Sequence, residues 1–232
     1  VRGSIDIPFI KFAQPEPPEP PLPTPLPPAR FFLIRHAEST WNHLHRIQGQ
    51  QDPELSDLGR RQAERLAGRL AAGNWEALYS SDLRRAQQTA QALAARTGLE
   101  VVPRPGLREI GLGEWEGLNR DDLAVRYPEL WARWQQRPSW DLVPQGEPAA
   151  AFEARVAAEM ESLYARHPRG DVLVVSHGGV IQVALSRFLG RSSDGVFPFR
   201  IENASISVLE ERRGRTIISR VNDIGHLDAL TC

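Results

Sequence analysis

Residues 31–39 decide the fold of this chain, and they read Phe-Phe-Leu-Ile-Arg-His-Ala-Glu-Ser. Four consecutive apolar residues are typical of a strand that is buried on both faces, as in a parallel sheet. The apolar run ends abruptly in Arg35 and His36. Because ligands of open α/β sheets bind beyond the carboxyl ends of the strands, we expect these two side chains at the mouth of a binding crevice.

A second segment with the same pattern lies far downstream, where residues 172–179 read Val-Leu-Val-Val-Ser-His-Gly-Gly. The apolar run 172–175 predicts another buried strand, and His177 follows it as His36 follows the first. The residues after Gly179 have a helix-like apolar pattern. We therefore expect the two histidines to face each other at one edge of a sheet.

The rest of the chain alternates helical and extended patterns. Apolar periodicity predicts helices at about 57–72, 83–97 and 149–166, and strands at 75–79 and 99–102. Ser56 and residues 80–82 offer side chains that cap helix N-termini, and Gly98 predicts a helix end. Residues 203–210 and 216–222 alternate apolar and polar side chains and predict a closing hairpin. The fold class is therefore α/β, with a mostly parallel central sheet that is flanked by helices on both faces.

Composition divides the chain into a tail and one globular domain. Residues 1–28 are crowded with prolines, which lack the backbone donor that helices and sheets need, so this segment is expected to be an extended tail or linker. Its PxxP spacings leave a ligand for a proline-binding module as the alternative. Residues 29–232 are long enough for one domain with a full core. Within it, 117–148 combines short helices, prolines and tryptophans, and predicts a small helical cap beside the crevice.

Charge and cysteine content narrow the classes of partner and compartment. The formal net charge of the 232 residues is −1, which favours neither nucleic acid nor a membrane surface as a partner. The single cysteine is Cys232, so no disulfide can form within one chain, as is usual in a reducing compartment. No apolar run approaches the roughly 18 residues of a membrane helix, and the N-terminus lacks a signal-peptide core. These features predict a cytoplasmic protein.

The segment Arg35 to Ser39 resembles the signature of the histidine phosphatase superfamily, whose usual form is Arg-His-Gly-Glu-Thr. This chain has Ala37 and Ser39 at two conservative places. Further pieces of the family pattern follow in the family order, namely Asn42, residues 46–49, 55–63, 81–90, 107–117 and 176–179. The resemblance covers residues 30 to about 222, and it implies the phosphoglycerate-mutase-like fold.

The resemblance assigns roles to five catalytic residues. His36 is expected to be the nucleophile that forms a phosphohistidine, Glu109 the general acid and base, and His177 a protonated clamp on the phosphoryl oxygens. Arg35 and Arg85 are expected to bind those oxygens, because a transferring phosphoryl group spreads negative charge over them and guanidinium groups bind them in bidentate fashion.

Three further residues are implied as phosphate ligands. Asn42 and Gln48 can donate hydrogen bonds from the first loop, and Gly178 offers a backbone N–H at a helix N-terminus, where the helix dipole favours an anion. The resemblance implies no cofactor. A phosphohistidine mechanism also needs no metal, so His43 and His45 are expected to read the substrate or to be incidental on their loop rather than to bind a metal ion.

Two of the assignments have close competitors in the sequence. Arg84 and Arg85 are adjacent on a helix and about 100° apart around its axis, so only one can face the crevice. The family register selects Arg85. Glu114 and Glu116 compete with Glu109 for the acid role. The register selects Glu109, and Glu116 is expected to hold the loop.

Hydrolysis is the main functional prediction. Family mutases carry Glu-Arg-His-Tyr-Gly at the acid position and a long basic insertion before the second histidine. Here residues 109–115 read Glu-Ile-Gly-Leu-Gly-Glu-Trp, which resembles the phosphatase branch. We therefore predict a metal-independent phosphatase that acts on a small phosphorylated metabolite. The alternatives are a cofactor-dependent phosphoglycerate mutase and a non-catalytic phosphate-binding regulator. Family relatives are often dimers, so a homodimer is a further expectation.

Overall fold

The computed structural model describes residues 28–191, 198–212 and 215–230. The tail predicted at residues 1–28 thus lies outside the described residues except for Pro28, and the division into tail and domain stays a prediction. Among the described residues, no helix is both long enough and apolar enough to span a bilayer.

Six strands of the described chain form one mixed sheet. The strands are β1 (Ala29–Arg35), β2 (Trp75–Ser80), β3 (Val101–Pro103), β4 (Gly170–Ser176), β5 (Ile206–Arg212) and β6 (Arg215–Asp223). Their order across the sheet is β3-β2-β4-β1-β5-β6. The pairs β1–β4, β2–β4 and β2–β3 are parallel, whereas β5 is antiparallel to both β1 and β6. The predicted mostly parallel sheet with a closing hairpin is confirmed.

Helices cover both faces of this sheet, as predicted. The helices of the described chain are α1 (Thr40–His43), α2 (Asp57–Leu70), α3 (Arg84–Thr97), α4 (Arg120–Arg126), α5 (Pro128–Gln136), α6 (Ala149–Arg166) and α7 (Gly178–Phe188). One core cluster joins Phe31, Val172 and Val174 to side chains of α6 and α7. The other joins Ile34, Leu173 and Val175 to α2 and α3. Alternate residues of the central strands thus bury opposite faces, which explains their continuous apolar runs.

The segment predicted as a cap has a small core of its own. It carries α4, α5 and a 3₁₀ turn at Trp140–Leu142. Trp115 lies at the centre of this core, with its ring centroid 6.3 Å from that of Trp131 and 5.2 Å from that of Trp134. The rings pack edge to face against one another, so they serve as core rather than as a stacking platform for a ligand.

The structure departs from the predicted elements in two places. A loop was expected at residues 41–53, but Thr40–His43 form the short helix α1. The side chains of Ser39 and Asn42 cap each other's backbone there in a capping box. The prediction that residues 80–82 cap α3 was wrong. The N-cap is Leu83, without a side-chain cap, and the backbone N–H of Arg84 instead donates to Asp52.

Candidate active site

The carboxyl ends of β1, β2 and β4 bring the predicted site residues to one edge of the sheet. In the sheet register Arg35 lies opposite Ser176, and Ser80 lies opposite Val175. The backbone N–H of His36 then donates to Ser176, at 2.8 Å. The ring centroids of His36 and His177 are 5.1 Å apart, so the two histidines face each other as expected.

The ring of His36 is held in one tautomer by its own backbone. Its Nδ1 lies 2.7 Å from the carbonyl oxygen of Ala37. A carbonyl oxygen only accepts, so Nδ1 carries the proton and Nε2 keeps its lone pair. Arg85 Nε donates to that Nε2 at 3.3 Å. Burial, and then the charges of Arg85 and Arg35, hold the pKa of His36 well below its usual value, so the ring is neutral and nucleophilic at Nε2.

The ring of His177 is held from a neighbouring strand end. Its Nε2 lies 2.8 Å from Ser81 Oγ, while its Nδ1 is buried and has no hydrogen-bond partner among the described residues. Burial is the largest cause that lowers the pKa of His177 well below its usual value, and the charge of Arg85 comes next. The surrounding protein groups therefore favour a neutral ring, unlike the protonated clamp that the resemblance implies.

Arg85 is buried beside His36 and is held by two backbone carbonyls. Its Nη1 donates to Gln51 at 2.7 Å, and its Nη2 donates to Gly49 at 2.8 Å. Burial lowers the pKa of Arg85 to about 10, which leaves the guanidinium charged at neutral pH. Gly49 has φ of +52°, and a Cβ there would lie 2.0 Å from a carboxylate oxygen of Glu116, so this turn requires glycine.

Arg35 is the second buried arginine whose charge acts on His36. Its Nη1 donates to the carbonyl of Ile201 at 2.6 Å, whereas its buried Nε has no partner among the described residues. Burial lowers the pKa of Arg35, although nearby Glu109 acts in the opposite direction. Gly178 begins α7 beside this guanidinium, since a Cβ on it would lie 3.7 Å from Arg35 Nε. Two buried nitrogen atoms at this edge of the sheet, Arg35 Nε and His177 Nδ1, thus have no partner in the part of the protein that the structure describes.

Glu109 reaches the same place from the loop after β3. One carboxylate oxygen accepts from the backbone N–H of Gly179 at 3.0 Å, and the other from that of Ile110 at 3.1 Å. A Cβ on Gly179 would lie 2.3 Å from the Glu109 carboxylate, so only glycine admits the acid at this position.

The competing residues are held by other partners. Glu114 accepts hydrogen bonds from Tyr127 and Gln145 at the surface of the cap. Glu116 accepts from the backbone N–H groups of Gln50 and Leu112, and so holds the loop as expected. Arg84 pairs with Glu54 at the surface.

Asn42 and Gln48 are anchored through their oxygen atoms. Ser39 Oγ lies 2.7 Å from Gln48 Oε1, and Asn203 donates to Asn42 Oδ1 at 3.2 Å. Since both carboxamide oxygens are held by protein donors, the NH₂ groups are the donors that each side chain can offer to a phosphate.

The loop and the cap enclose a cleft next to Asn42. Its volume is about 750 Å³, and its other lining residues are Leu44, His45, Arg46, Asn119, Arg120 and Asp121. His45 thus lines the cleft, whereas His43 is largely exposed and lies 3.7 Å from Glu38. Within the described residues, no cluster of three or more His, Cys, Asp or Glu side chains is placed to hold a metal ion.

Three supporting residues were not among the predicted site residues. Ser81 holds His177, and Asn203 donates to the backbone carbonyl of His36 at 3.0 Å. Thr89 accepts from the backbone of Ala37 and donates to that of Arg85, which ties the segment after β1 to α3. Ser81 and Thr89 stand in the matched motifs, so their place in the pattern was a usable signal. Asn203 offered none, because it contacts backbone and another carboxamide.

Residues 31–224 match the family model of the histidine phosphatase superfamily (branch 1). The chain belongs to this superfamily. It is 35% identical over 198 residues to phosphoserine phosphatase 1 of Hydrogenobacter thermophilus, which covers 85% of this chain and 94% of that protein. It is 34% identical over 203 residues to the metal-independent phosphoserine phosphatase of Arabidopsis thaliana, with 86% and 84% covered.

The similar proteins also include a probable mutase and a solved structure. A probable phosphoglycerate mutase, GpmB of Yersinia pestis, is 32% identical over 204 residues, which cover 86% of this chain and 95% of that protein. The solved structure of YhfR from Bacillus stearothermophilus matches with a TM-score of 0.79 at 31% identity, with 86% of this chain and all of that chain covered. The prediction of a phosphatase of this superfamily, which hydrolyses a small phosphorylated metabolite through a phosphohistidine, is confirmed.

Proposed function

We propose that His36 Nε2 is the atom that attacks phosphorus and carries the phosphoryl group. The observation that supports this most is the hydrogen bond from Nδ1 to the carbonyl of Ala37, because it forces the lone pair onto Nε2. The lowered pKa keeps that lone pair available at neutral and mildly acidic pH. Attack splits one difficult displacement into two easier ones, with the phosphohistidine between them.

Arg35, Arg85 and His177 surround the phosphoryl group in this proposal. The two unpartnered nitrogen atoms, Arg35 Nε and His177 Nδ1, give it buried donors beside the nucleophile, and few buried polar atoms in proteins lack a partner. A phosphoryl dianion between them would counteract the burial that lowers the pKa of His177, so the ring can bind a proton together with the substrate. The N–H of Gly178 and the NH₂ groups of Asn42 and Gln48 complete the set of donors.

Glu109 is the proton donor and acceptor of the two steps. In the first step the N–P bond forms, the P–O bond to the alcohol breaks, and the carboxyl of Glu109 gives its proton to the leaving oxygen. In the second step the carboxylate takes a proton from water while the water oxygen attacks phosphorus. The N–P bond then breaks, inorganic phosphate leaves, and His36 and Glu109 return to their starting states.

The substrate that we propose is a small alkyl phosphomonoester, with phosphoserine as the first candidate. Two of the relatives are phosphoserine phosphatases. The cleft beside Asn42 supports a substrate with charges of both signs, because Arg46 and Arg120 line it together with Asp121. No metal is needed in this scheme, since the arginines and the histidine supply the positive charge that a metal ion would otherwise provide.

Phosphoglycerate mutase activity is the second candidate, and the similarity to a probable mutase favours it. Family mutases share the sequence Arg-His-Tyr-Gly after the acid. This chain lacks it after Glu109, which favours hydrolysis. The homodimer expected from the resemblance stays a prediction, which the molar mass in solution tests.

The experiment is phosphate release from a panel of phosphomonoesters, with and without a chelator, for wild type and His36→Ala. We expect the wild type to release phosphate from phosphoserine or another small alkyl ester, and the variant to release none. Loss of wild-type activity on chelation would refute the metal-independent scheme. Interconversion of phosphoglycerates on addition of the bisphosphate, without net release, would instead establish the mutase.

A further inference from the structure

Arg155 of α6 donates hydrogen bonds to the backbone of the loop that carries Glu109. Its Nη1 donates to the backbone carbonyls of Gly106 and Arg108, at 3.1 and 2.8 Å. Its Nη2 donates to the carbonyl of Glu109 itself at 3.3 Å. One guanidinium group thus contacts three carbonyls within four consecutive residues of the loop. A guanidinium presents five N–H donors in a fixed plane, whereas a lysine ammonium presents only three.

The remaining donors of Arg155 bind a carboxylate that also contacts the loop. Nε and Nη2 donate to the two oxygens of Glu147 at 3.0 and 2.7 Å. Glu147 in turn accepts from the backbone N–H of Gly111 at 3.1 Å, and its own N–H donates to the Gly111 carbonyl. All five N–H donors of Arg155 are therefore used, and the Arg155–Glu147 pair holds the loop on both sides of Glu109.

The loop needs such support because it has little regular structure. It follows the three-residue strand β3 at the edge of the sheet, and a 3₁₀ turn at Pro105–Leu107 leads into it. The carbonyl of Glu109 points to side chains, Arg155 and Gln50, rather than to a neighbouring strand. A displacement of about 1 Å at a reacting group can cost on the order of a hundredfold in rate.

We propose that Arg155 is a positioning residue, which sets the distance between the Glu109 carboxyl and the leaving oxygen of the substrate. The inference rests on the proposed role of Glu109 as general acid. Arg155 does not touch the substrate in this scheme. Its effect passes through the backbone of residues 106–109.

Leaving-group chemistry separates this role from a purely structural one. An alkyl phosphate needs protonation of its leaving alcohol, whereas p-nitrophenolate leaves without it. The value of kcat/KM reports steps up to the first irreversible one, the departure of the alcohol. We expect Arg155→Met to lower kcat/KM for phosphoserine, or for the best alkyl ester found, by about a hundredfold. For p-nitrophenyl phosphate we expect a loss below about fivefold, because no proton is required.

Arg104 provides a matched control. It also pairs with a glutamate, Glu159 of α6, and its side chain is 24% exposed, as is that of Arg155. Its side-chain donors contact Glu159 and Ser162 rather than the carbonyls of the loop. We expect Arg104→Met to leave the ratio of the two kcat/KM values within about twofold of wild type, because the Arg155–Glu147 pair still holds the loop.

Two further variants keep the test decisive. Arg155→Lys, which retains the charge but not the fork, should fold even if Arg155→Met does not, and should shift the ratio in the same direction. Glu109→Gln tests the proposed function separately, because it removes the acid itself. An unchanged ratio in Glu109→Gln would refute the acid assignment. A changed ratio in Glu109→Gln with an unchanged ratio in both Arg155 variants would overturn the positioning role alone, as would an equal change in Arg104→Met.

Discussion

The strand ends that carry His36 and His177 are alike in sequence, but different partners hold the two rings. His36 is held by its own backbone carbonyl, which fixes the tautomer and leaves Nε2 as an acceptor. His177 is held by a side chain from β2's end, Ser81, and its Nδ1 has no partner among the described residues. The comparison shows that a strand-end histidine obtains its position from the sheet and its chemical role from the partner of its second nitrogen.

Replacement of the two histidines should have the largest effects on activity and should separate their roles. We expect His36→Ala to lower kcat by on the order of 10⁵-fold, because no nucleophile remains. His177→Ala should lower it by about 10²–10³-fold, the usual cost of one donor to the transition state. Brief incubation with substrate and intact-mass measurement should detect phosphoenzyme in His177→Ala and none in His36→Ala. Phosphoenzyme in His36→Ala only would mean that the two roles are exchanged.

The sequence predicts the fold well, because the order of strands and the places of the two histidines follow from strand ends. Two apolar runs that end in Arg-His and Ser-His place the histidines at one sheet edge. What the sequence could not predict is how side chains are shared between elements. Ser81 is a residue type that often caps helices, yet its hydroxyl contacts His177. The cap position is occupied by Leu83.

Supports that act on backbone are the least predictable from residue types. Arg155 contacts the carbonyls of the acid loop, and a carbonyl has no residue-specific signature in a sequence. Helix α1 escaped prediction for a similar reason, since four residues are too few for a periodic pattern and its capping box is the only local signal.

The two adjacent glycines at the start of α7, directly after His177, should respond differently to substitution. A Cβ on Gly179 would lie 2.3 Å from Glu109 Oε1, whereas one on Gly178 would make ordinary contacts with Arg35, at 3.7 Å. Gly179→Ala should therefore displace the acid and lower kcat/KM for an alkyl ester by about a hundredfold. Gly178→Ala, the matched control, keeps its N–H and should lose less than about threefold. Equal losses in the two variants would contradict the placement of Glu109.

Ser81 tests the difference in anchoring directly. Ser81→Ala leaves the buried Nε2 of His177 without its partner, which costs about 1–3 kcal/mol of unfolding free energy. Because the ring is then free to turn, we expect kcat/KM to fall about tenfold. The orientation of His36 depends on a backbone carbonyl, so phosphoenzyme formation should persist. Urea unfolding and single-turnover labelling measure the two effects, and an unaffected kcat/KM would show that Ser81 does not orient the clamp.

A last expected effect concerns stability rather than rate, namely a pH dependence of stability to which both rings contribute. Their lowered pKa values mean that the unfolded chain binds protons more readily than the folded one. Stability therefore falls as the pH drops below about 6.5, the usual pKa of an unfolded histidine, by about 1.4 kcal/mol per pH unit for each ring. His36→Gln and His177→Gln should each remove the contribution of one proton, about 1.4 kcal/mol per pH unit, from this slope. Urea midpoints between pH 7 and 5 measure it, and a slope that neither substitution reduces would show that the rings titrate normally.

The position of β4 between β2 and β1 has a consequence for how the protein is made. The strands synthesised first, β1 and β2, are not neighbours in the sheet, and 141 residues separate paired positions such as Arg30 and Asp171. A nascent chain therefore exposes unpaired strand edges until β4 leaves the ribosome, which makes this stage vulnerable to aggregation. Such non-local parallel pairing also predicts slow folding. Because His36 follows β1 and His177 follows β4, the two histidines can meet only after β4 has been synthesised.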